Sequence, residues 1–266
     1  MLIHAIRRSQ ACGPAQVPAA GPWAEQGVVV PIEGAARNRA SMLLAGINPL
    51  QTPLVPIPEP PPVPTLAVWS GWLDLEDADT EDDPDDRGLL ASMRAWSGQA
   101  WTSLEASLSD LADQASRLGV RIAVRPRASH VVSDAQRCVR LLERHQNQPI
   151  DLLLEPTMLL TPAMLSESED HLIRIFDALA GHDRTIGLVL TNVRRTDRET
   201  TVPGSSSPSS SGPSSGLVPS PLNSGELDGR RLCELAAPYV SRDRPLLLLE
   251  QDLTEQITLA RLAGLG

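Results

Sequence analysis

The chain has 266 residues, a formal net charge of −10 and a pI near 5.0, with 41% hydrophobic but only 3% aromatic residues. That length suits one large domain or two small ones, with a core built from Leu, Val, Ile and Ala. The acidic balance disfavours the nonspecific attraction to nucleic acid or anionic membranes that a basic surface provides. All 23 basic residues are arginine, so lysine Schiff-base, pyridoxal phosphate and P-loop lysine chemistry are excluded.

Residues 1–51 are weakly patterned. Gly27–Pro31 reads as a short strand and residues 37–46 as a short helix. Thr52 to Pro64 (TPLVPIPEPPPVP) favours polyproline II and excludes a helix or a central strand. It reads as a stiff linker, with a docking peptide for a proline-binding module as the alternative. Residues 65–70 (TLAVWS) read as a buried strand. The run from Asp74 to Asp86 holds nine carboxylates and no base. It lacks the glycine and the spacing of an EF-hand loop, so a solvated loop is expected.

From Leu89 to Leu118 the pattern is helical, with Leu104, Leu108, Leu111, Ala115 and Leu118 on one face and Gly119 as the terminating residue. A strand over 120–124 follows at once. Ser133-Asp134 opens the next helix, and a strand over 150–154 comes after it. A helix over 168–180 ends at Gly181, and Thr185 to Leu190 is a further strand. Pro203 to Ser224 holds ten serines and five prolines and should be disordered. A short helix over 230–237, a strand over 246–249 ending at Glu250, and a closing helix over 253–262 complete the chain. Four helix–strand units thus lie between residues 89 and 250, with a further strand at 65–70. The expected architecture is α/β with a parallel sheet and outer helices. Residues 1–64 are expected to be an irregular N-terminal region with a Pro-rich linker. Residues 65–266 are expected to form the barrel-like domain, with disordered insertions near 74–86 and 196–228.

Cys12, Cys138 and Cys233 are far apart, odd in number and without a CxxC pair, so reduced structural cysteines are expected. Residues 1–8 contain no signal-peptide-like apolar run, and no stretch approaches the ~20 apolar residues of a membrane helix. A cytoplasmic protein with no nucleic-acid or membrane partner is the expectation, and the oligomeric state is open.

Two strand ends mark a site. Val120-Arg121-Ile122-Ala123-Val124 stops at Arg125-Pro126, and Ile150-Asp151-Leu152-Leu153-Leu154 stops at Glu155-Pro156. In parallel α/β folds ligands bind at the C-terminal ends of the strands. The segment Leu111–Arg127, with its helix, Leu-Gly-Val turn and strand, resembles the sugar phosphate isomerase/epimerase family, the xylose isomerase-like TIM barrels. So do Leu152–Leu159, Leu188–Val193 and Leu248–Glu250, in the same order, and the resemblance spans roughly residues 89–265. It implies a TIM-like barrel, incomplete or degenerate in its N-terminal part. It also implies a divalent metal at the barrel mouth, held by Glu, Asp, His and Glu, with carboxylates moving protons between adjacent carbons.

This chain departs from that ligand pattern. Arg125 stands at the first glutamate position, Glu155 at the aspartate, Met158 and Val189 at histidines, and Asn192 at an aspartate; Glu250 is retained. A guanidinium about 5 Å from a divalent cation is repelled by roughly 6–7 kcal/mol at an effective dielectric near 20. No metal is therefore expected unless Glu155 and Glu250 form a relocated site. Arg125 is expected to pair with Glu155 or Glu250 across the mouth. Alternatively, Arg125 and Arg127 clamp a phosphate or carboxylate, with His130 within reach. Three functions stand side by side. One is a divergent family member binding a sugar-like or anionic small molecule. Another is an active isomerase or epimerase with Glu155 and Glu250 as its catalytic carboxylates. The third is a non-catalytic interaction protein. His145, His171 and His182 are expected at the surface, and His4 lies in the unpatterned N-terminus.

Overall fold

The computed structural model describes residues 3–7, 27–32, 40–51, 54–73, 92–195, 216–241 and 244–265. The strands in chain order are β1 (Ile3–Arg7), β2 (Gly27–Pro31), β3 (Met42–Leu44), β4 (Thr65–Trp69), β5 (Arg121–Arg125), β6 (Ile150–Leu154), β7 (Thr185–Val189), β8 (Asn192–Arg195), β9 (Leu217–Ser220) and β10 (Leu246–Leu249). Eight of them close into a barrel in the order β1-β10-β7-β6-β5-β4-β3-β2, while β8 and β9 form a separate antiparallel ribbon. All barrel neighbours are parallel except that β2 runs antiparallel to both β1 and β3. The α/β TIM-like barrel is therefore complete among the described strands. The helices are α1 (Gly98–Leu118), α2 (Ala135–Arg144), α3 (Ser168–Ile175), α4 (Gly229–Ala236) and α5 (Leu253–Leu262).

The N-terminal 64 residues differ from the irregular region expected of them. Three of their segments, β1 to β3, supply the strands that close the barrel. Within the expected helix at 37–46, Met42–Leu44 is a strand, because it pairs with β2 on one side and β4 on the other. The Pro-rich segment is packed rather than extended into solvent. Ile57 and Val63 are buried, and the Ile57 N–H donates to Gln114 Oε1 of α1 at 3.0 Å. The acidic run at 74–86 and Cys12 lie outside the described residues. Of the Ser/Pro-rich stretch expected to be disordered, 203–215 lies outside them too, but Leu217–Ser220 is a strand. Its register places Pro219 opposite Val193, and a two-stranded ribbon tolerates a proline that a central strand would not.

Local chemistry sets the helix ends. Ser97 accepts from the Ala100 N–H, Asp134 from Arg137, and Asp228 from both Arg230 and Arg231, so α1, α2 and α4 each have a side-chain acceptor for orphan donors at the N-terminus. The expected helix from Leu89 is broken here: residues 92–95 make one turn, and Ser97 starts α1 anew. Gly119 ends α1 in the left-handed region at φ 66°, a conformation glycine adopts without a Cβ penalty. Of the expected apolar face of α1, Leu104, Leu108, Leu111 and Ala115 are inside, Leu118 is half-buried, and Trp101 joins them.

Side-chain alternation divides the sheet into two faces. Ile122, Val124, Leu152 and Leu154 face the helices in the outer core. Ala67, Ala123, Leu153, Val189 and Leu247 form a second cluster inside the barrel. Gly187 belongs to this tight middle layer, since a Cβ there would lie 3.1 Å from both Leu153 Cδ1 and Leu247 Cδ1. Polar pairs bracket the layer. At the N-terminal end Asp151, fully buried, receives Arg121 Nε at 2.5 Å and Nη2 at 2.6 Å, with Arg184 Nε at 3.5 Å.

His4 of β1 also sits at this N-terminal end, buried, with Nδ1 3.5 Å from Ser41 Oγ and Nε2 without a hydrogen-bond partner among the described residues. Burial lowers its pKa from the ordinary 6.5, because the charged imidazolium is poorly solvated there. The unfolded chain then takes up the proton more readily than the folded one. The contribution to stability is complete above the ordinary value and is lost as pH falls below it. Urea unfolding from pH 7.5 down to 5 should show this loss in the wild type and a shallower slope in His4→Gln. Identical slopes would show that His4 does not couple to folding.

Candidate functional site

A cavity of about 280 Å³ lies at the C-terminal mouth of the barrel. Its polar lining is Arg125, the last residue of β5, with Arg127 and Glu155 just beyond β5 and β6; Trp69 ends β4 beside them. Ile6, Leu44, Val189 and Leu249 enter from the ends of β1, β3, β7 and β10, and Val218 and Pro219 from the β8–β9 ribbon. A wider hollow of about 700 Å³ runs beside α1, but Asp110, Asp113 and Arg117 there are exposed side chains. At the mouth, by contrast, buried charge and concavity coincide.

The charges there are held in a defined arrangement. Arg125 Nη2 is 3.6 Å from Glu155 Oε2, and the Arg125 guanidinium lies over the Trp69 ring at 3.9 Å. Thr191 donates to Glu155 Oε1 at 2.8 Å, and the Thr157 and Thr191 hydroxyls are 2.9 Å apart. Arg127 is buried and donates from Nη2 to the Leu217 carbonyl of the ribbon at 3.2 Å, while its Nε has no hydrogen-bond partner among the described residues. Burial lowers the pKa of both guanidiniums, and the Glu155 charge opposes this in each case; Arg125 adds to the lowering at Arg127. Among the described residues, Arg125 has Glu155 at ion-pair distance, whereas Arg127 has no carboxylate that close and feels Glu155 only at longer range.

Of the residues singled out from sequence, the fold brings Arg125, Arg127 and Glu155 together. The expected ion pair forms between Arg125 and Glu155. Glu250 stands apart: its carboxylate is 3.7 Å from Arg7 Nε, and it does not line the cavity. The Glu155–Glu250 pair needed for a relocated metal or proton-transfer site is thus not assembled in the cavity. His130 does not line it either. Its loop is pinned back by Val131 N–H to Gly71 O and Arg127 N–H to Val132 O. The ring sits fully buried between Trp69 and Trp72, 3.2 Å from Ser70 Oγ. His145, expected at the surface, is buried at the end of α2, where its ring meets Gln148. Cys138 and Cys233 are buried thiols; burial pushes Cys138 above the ordinary range and Cys233 up to about 12, which leaves neither a ready nucleophile.

Sequence reasoning missed Trp69, Thr157, Thr191 and the Val218–Pro219 ribbon. A tryptophan at a strand end was a visible signal for a cation platform. The two threonines carry no local signal, because they meet only through the fold.

These features define an α/β barrel with a small, positively biased mouth. No protein-family model matches the chain, and no curated protein matches it. Solved structures do match. A xylose isomerase-like TIM barrel protein from Mycobacterium smegmatis in complex with magnesium aligns at 13% identity and TM-score 0.39, covering 77% of this chain and 63% of that one. A xylose isomerase domain protein from Planctomyces limnophilus aligns at 13% identity and TM-score 0.45, covering 76% and 58%. The IOLI protein with a bound zinc atom aligns at 11% identity and TM-score 0.39, covering 76% and 62%. The chain thus spans about three fifths of the length of these structures.

A divalent metal, as the resemblance implies, is poorly matched by the residues at the mouth. One carboxylate faces two guanidiniums, and its oxygens already meet Thr191 and Arg125. Among the described residues no three His, Cys, Asp or Glu side chains come together as a metal-binding group. No helix among them is long and apolar enough to cross a membrane.

Proposed function

We propose that the protein is a divergent xylose isomerase-like barrel whose mouth binds an anionic small molecule through Arg125 and Arg127, without a metal centre. The observation that carries this reading is the Arg127 guanidinium. It is buried beside the cavity and lacks a carboxylate at ion-pair distance among the described residues. An uncompensated buried charge is costly, and an anion in the cavity offsets that cost through charge-assisted hydrogen bonds. Arg125, braced by Trp69 and Glu155, presents the second cation. Glu155 acts in this reading as a counter-charge that sets the position of Arg125, rather than as a proton shuttle.

Inorganic phosphate and acetate, titrated by calorimetry in the presence of EDTA, test the proposal. Wild type should bind at least one of them, and Arg127→Gln should weaken that binding by tenfold or more. Stoichiometric magnesium, manganese or zinc in the purified protein, lost on Glu155→Ala, would overturn it in favour of a metal-dependent isomerase or epimerase.

A further inference from the structure

We infer that the ligand of this mouth is a small carboxylate with an apolar body, not a polyhydroxylated sugar acid or sugar phosphate. The inference rests on the anion-binding reading and narrows it. Beyond the two arginines and Glu155, the described lining is aliphatic side chains, Trp69 and Pro219. A sugar needs hydrogen-bond acceptors as well as donors for its hydroxyls. Arginine has five donors and no acceptor, and tryptophan has a donor only. Glu155 is the one side-chain acceptor among the described residues of the lining. One of its oxygens takes the Thr191 hydroxyl, and the other faces Arg125.

Among the described lining residues a polyol would find few acceptors for its hydroxyls, whereas Leu44, Val189, Val218 and Leu249 reward apolar surface. The volume of about 280 Å³ lies just under the ~300–1,000 Å³ of pockets for drug-sized ligands, so the body must be compact. The position of the charge sets the orientation. Arg125 and Arg127 stand at the β5–β6 side, so the carboxylate points there and the chain runs toward β10 and β1.

Hexanoate and gluconate make the test, because they share a six-carbon chain and a carboxylate and differ in the hydroxyls. Both are titrated into wild-type protein by calorimetry, beside inorganic phosphate. Hexanoate should bind at least tenfold more tightly than gluconate, with a negative heat-capacity change from apolar burial. Its affinity should fall tenfold or more in Arg127→Gln and in Val189→Thr, the latter a near-isosteric change that keeps both arginines. Gluconate binding as tightly as hexanoate overturns the inference and leaves the anion site standing. Binding of phosphate alone does the same. Failure of all three anions removes the anion site and the inference with it.

Discussion

Replacing Asp151 with alanine should cost the fold about 3 kcal/mol, lowering the melting temperature by on the order of 10 °C. The reason is asymmetry of burial. The Asp151 carboxylate is wholly buried, whereas the Arg121 side chain that grips it is more than half exposed at 55%. Arg121→Gln deletes a cation whose charge is already largely hydrated and leaves Asp151 with Arg184, so it should cost only about 1 kcal/mol, near the upper end for an exposed partner. Removing Asp151 strips the counter-charge from both cations. Arg184 cannot move out, because its guanidinium also donates to the carbonyls of Leu142, His145, Gln148 and Ile150, stitching the loop after α2 to the start of β6. Urea and thermal unfolding of the two single variants decide the matter: equal losses, or an Asp151→Ala variant melting within about 1 °C of wild type, would remove Asp151 from this role.

The same alternation explains what could be read beforehand. In Arg121-Ile-Ala-Val-Arg125 and Asp151-Leu-Leu-Leu-Glu155 every second residue enters the barrel. The two adjacent strands therefore carry matched pairs, Arg121 with Asp151 at one end and Arg125 with Glu155 at the other. Arginine and glutamate before proline at a strand end were legible because both the stop and the chemistry are local. The helix-capping residues Asp134 and Gly119 were legible for the same reason. The barrel's closure was not. Met42–Leu44 is three residues long and acquires its strand conformation only from β2 and β4, so no local periodicity betrays it. Composition misled at Leu217–Ser220, where a ribbon partner outweighs a Ser/Pro-rich context. His130 stands five residues past β5, close enough to a strand end to suggest the mouth, yet backbone hydrogen bonds fold its loop away between two tryptophans.

Glu155→Gln should convert the mouth from a partly balanced site into one that depends on added anion for its stability. The substitution keeps an oxygen to accept from Thr191 but removes the counter-charge at ion-pair distance from Arg125. Arg125 then loses its ion pair with Glu155 while Arg127 still has none among the described residues, and the loss without anion should be about 3–5 kcal/mol. At an effective dielectric near 20, a restored negative charge about 5 Å away recovers roughly 3 kcal/mol. Phosphate should therefore stabilise the variant more steeply than the wild type, following the logarithm of its concentration over its dissociation constant. A variant as stable as wild type in phosphate-free buffer would mean that Glu155 compensates no buried charge. If the variant is unstable and neither phosphate nor acetate rescues it, Glu155 is needed for packing, and the cavity is not an anion site. Melting curves at stepped phosphate and acetate concentrations separate these outcomes. The expected one, lower stability with stronger anion response, follows from one carboxylate serving two buried arginines.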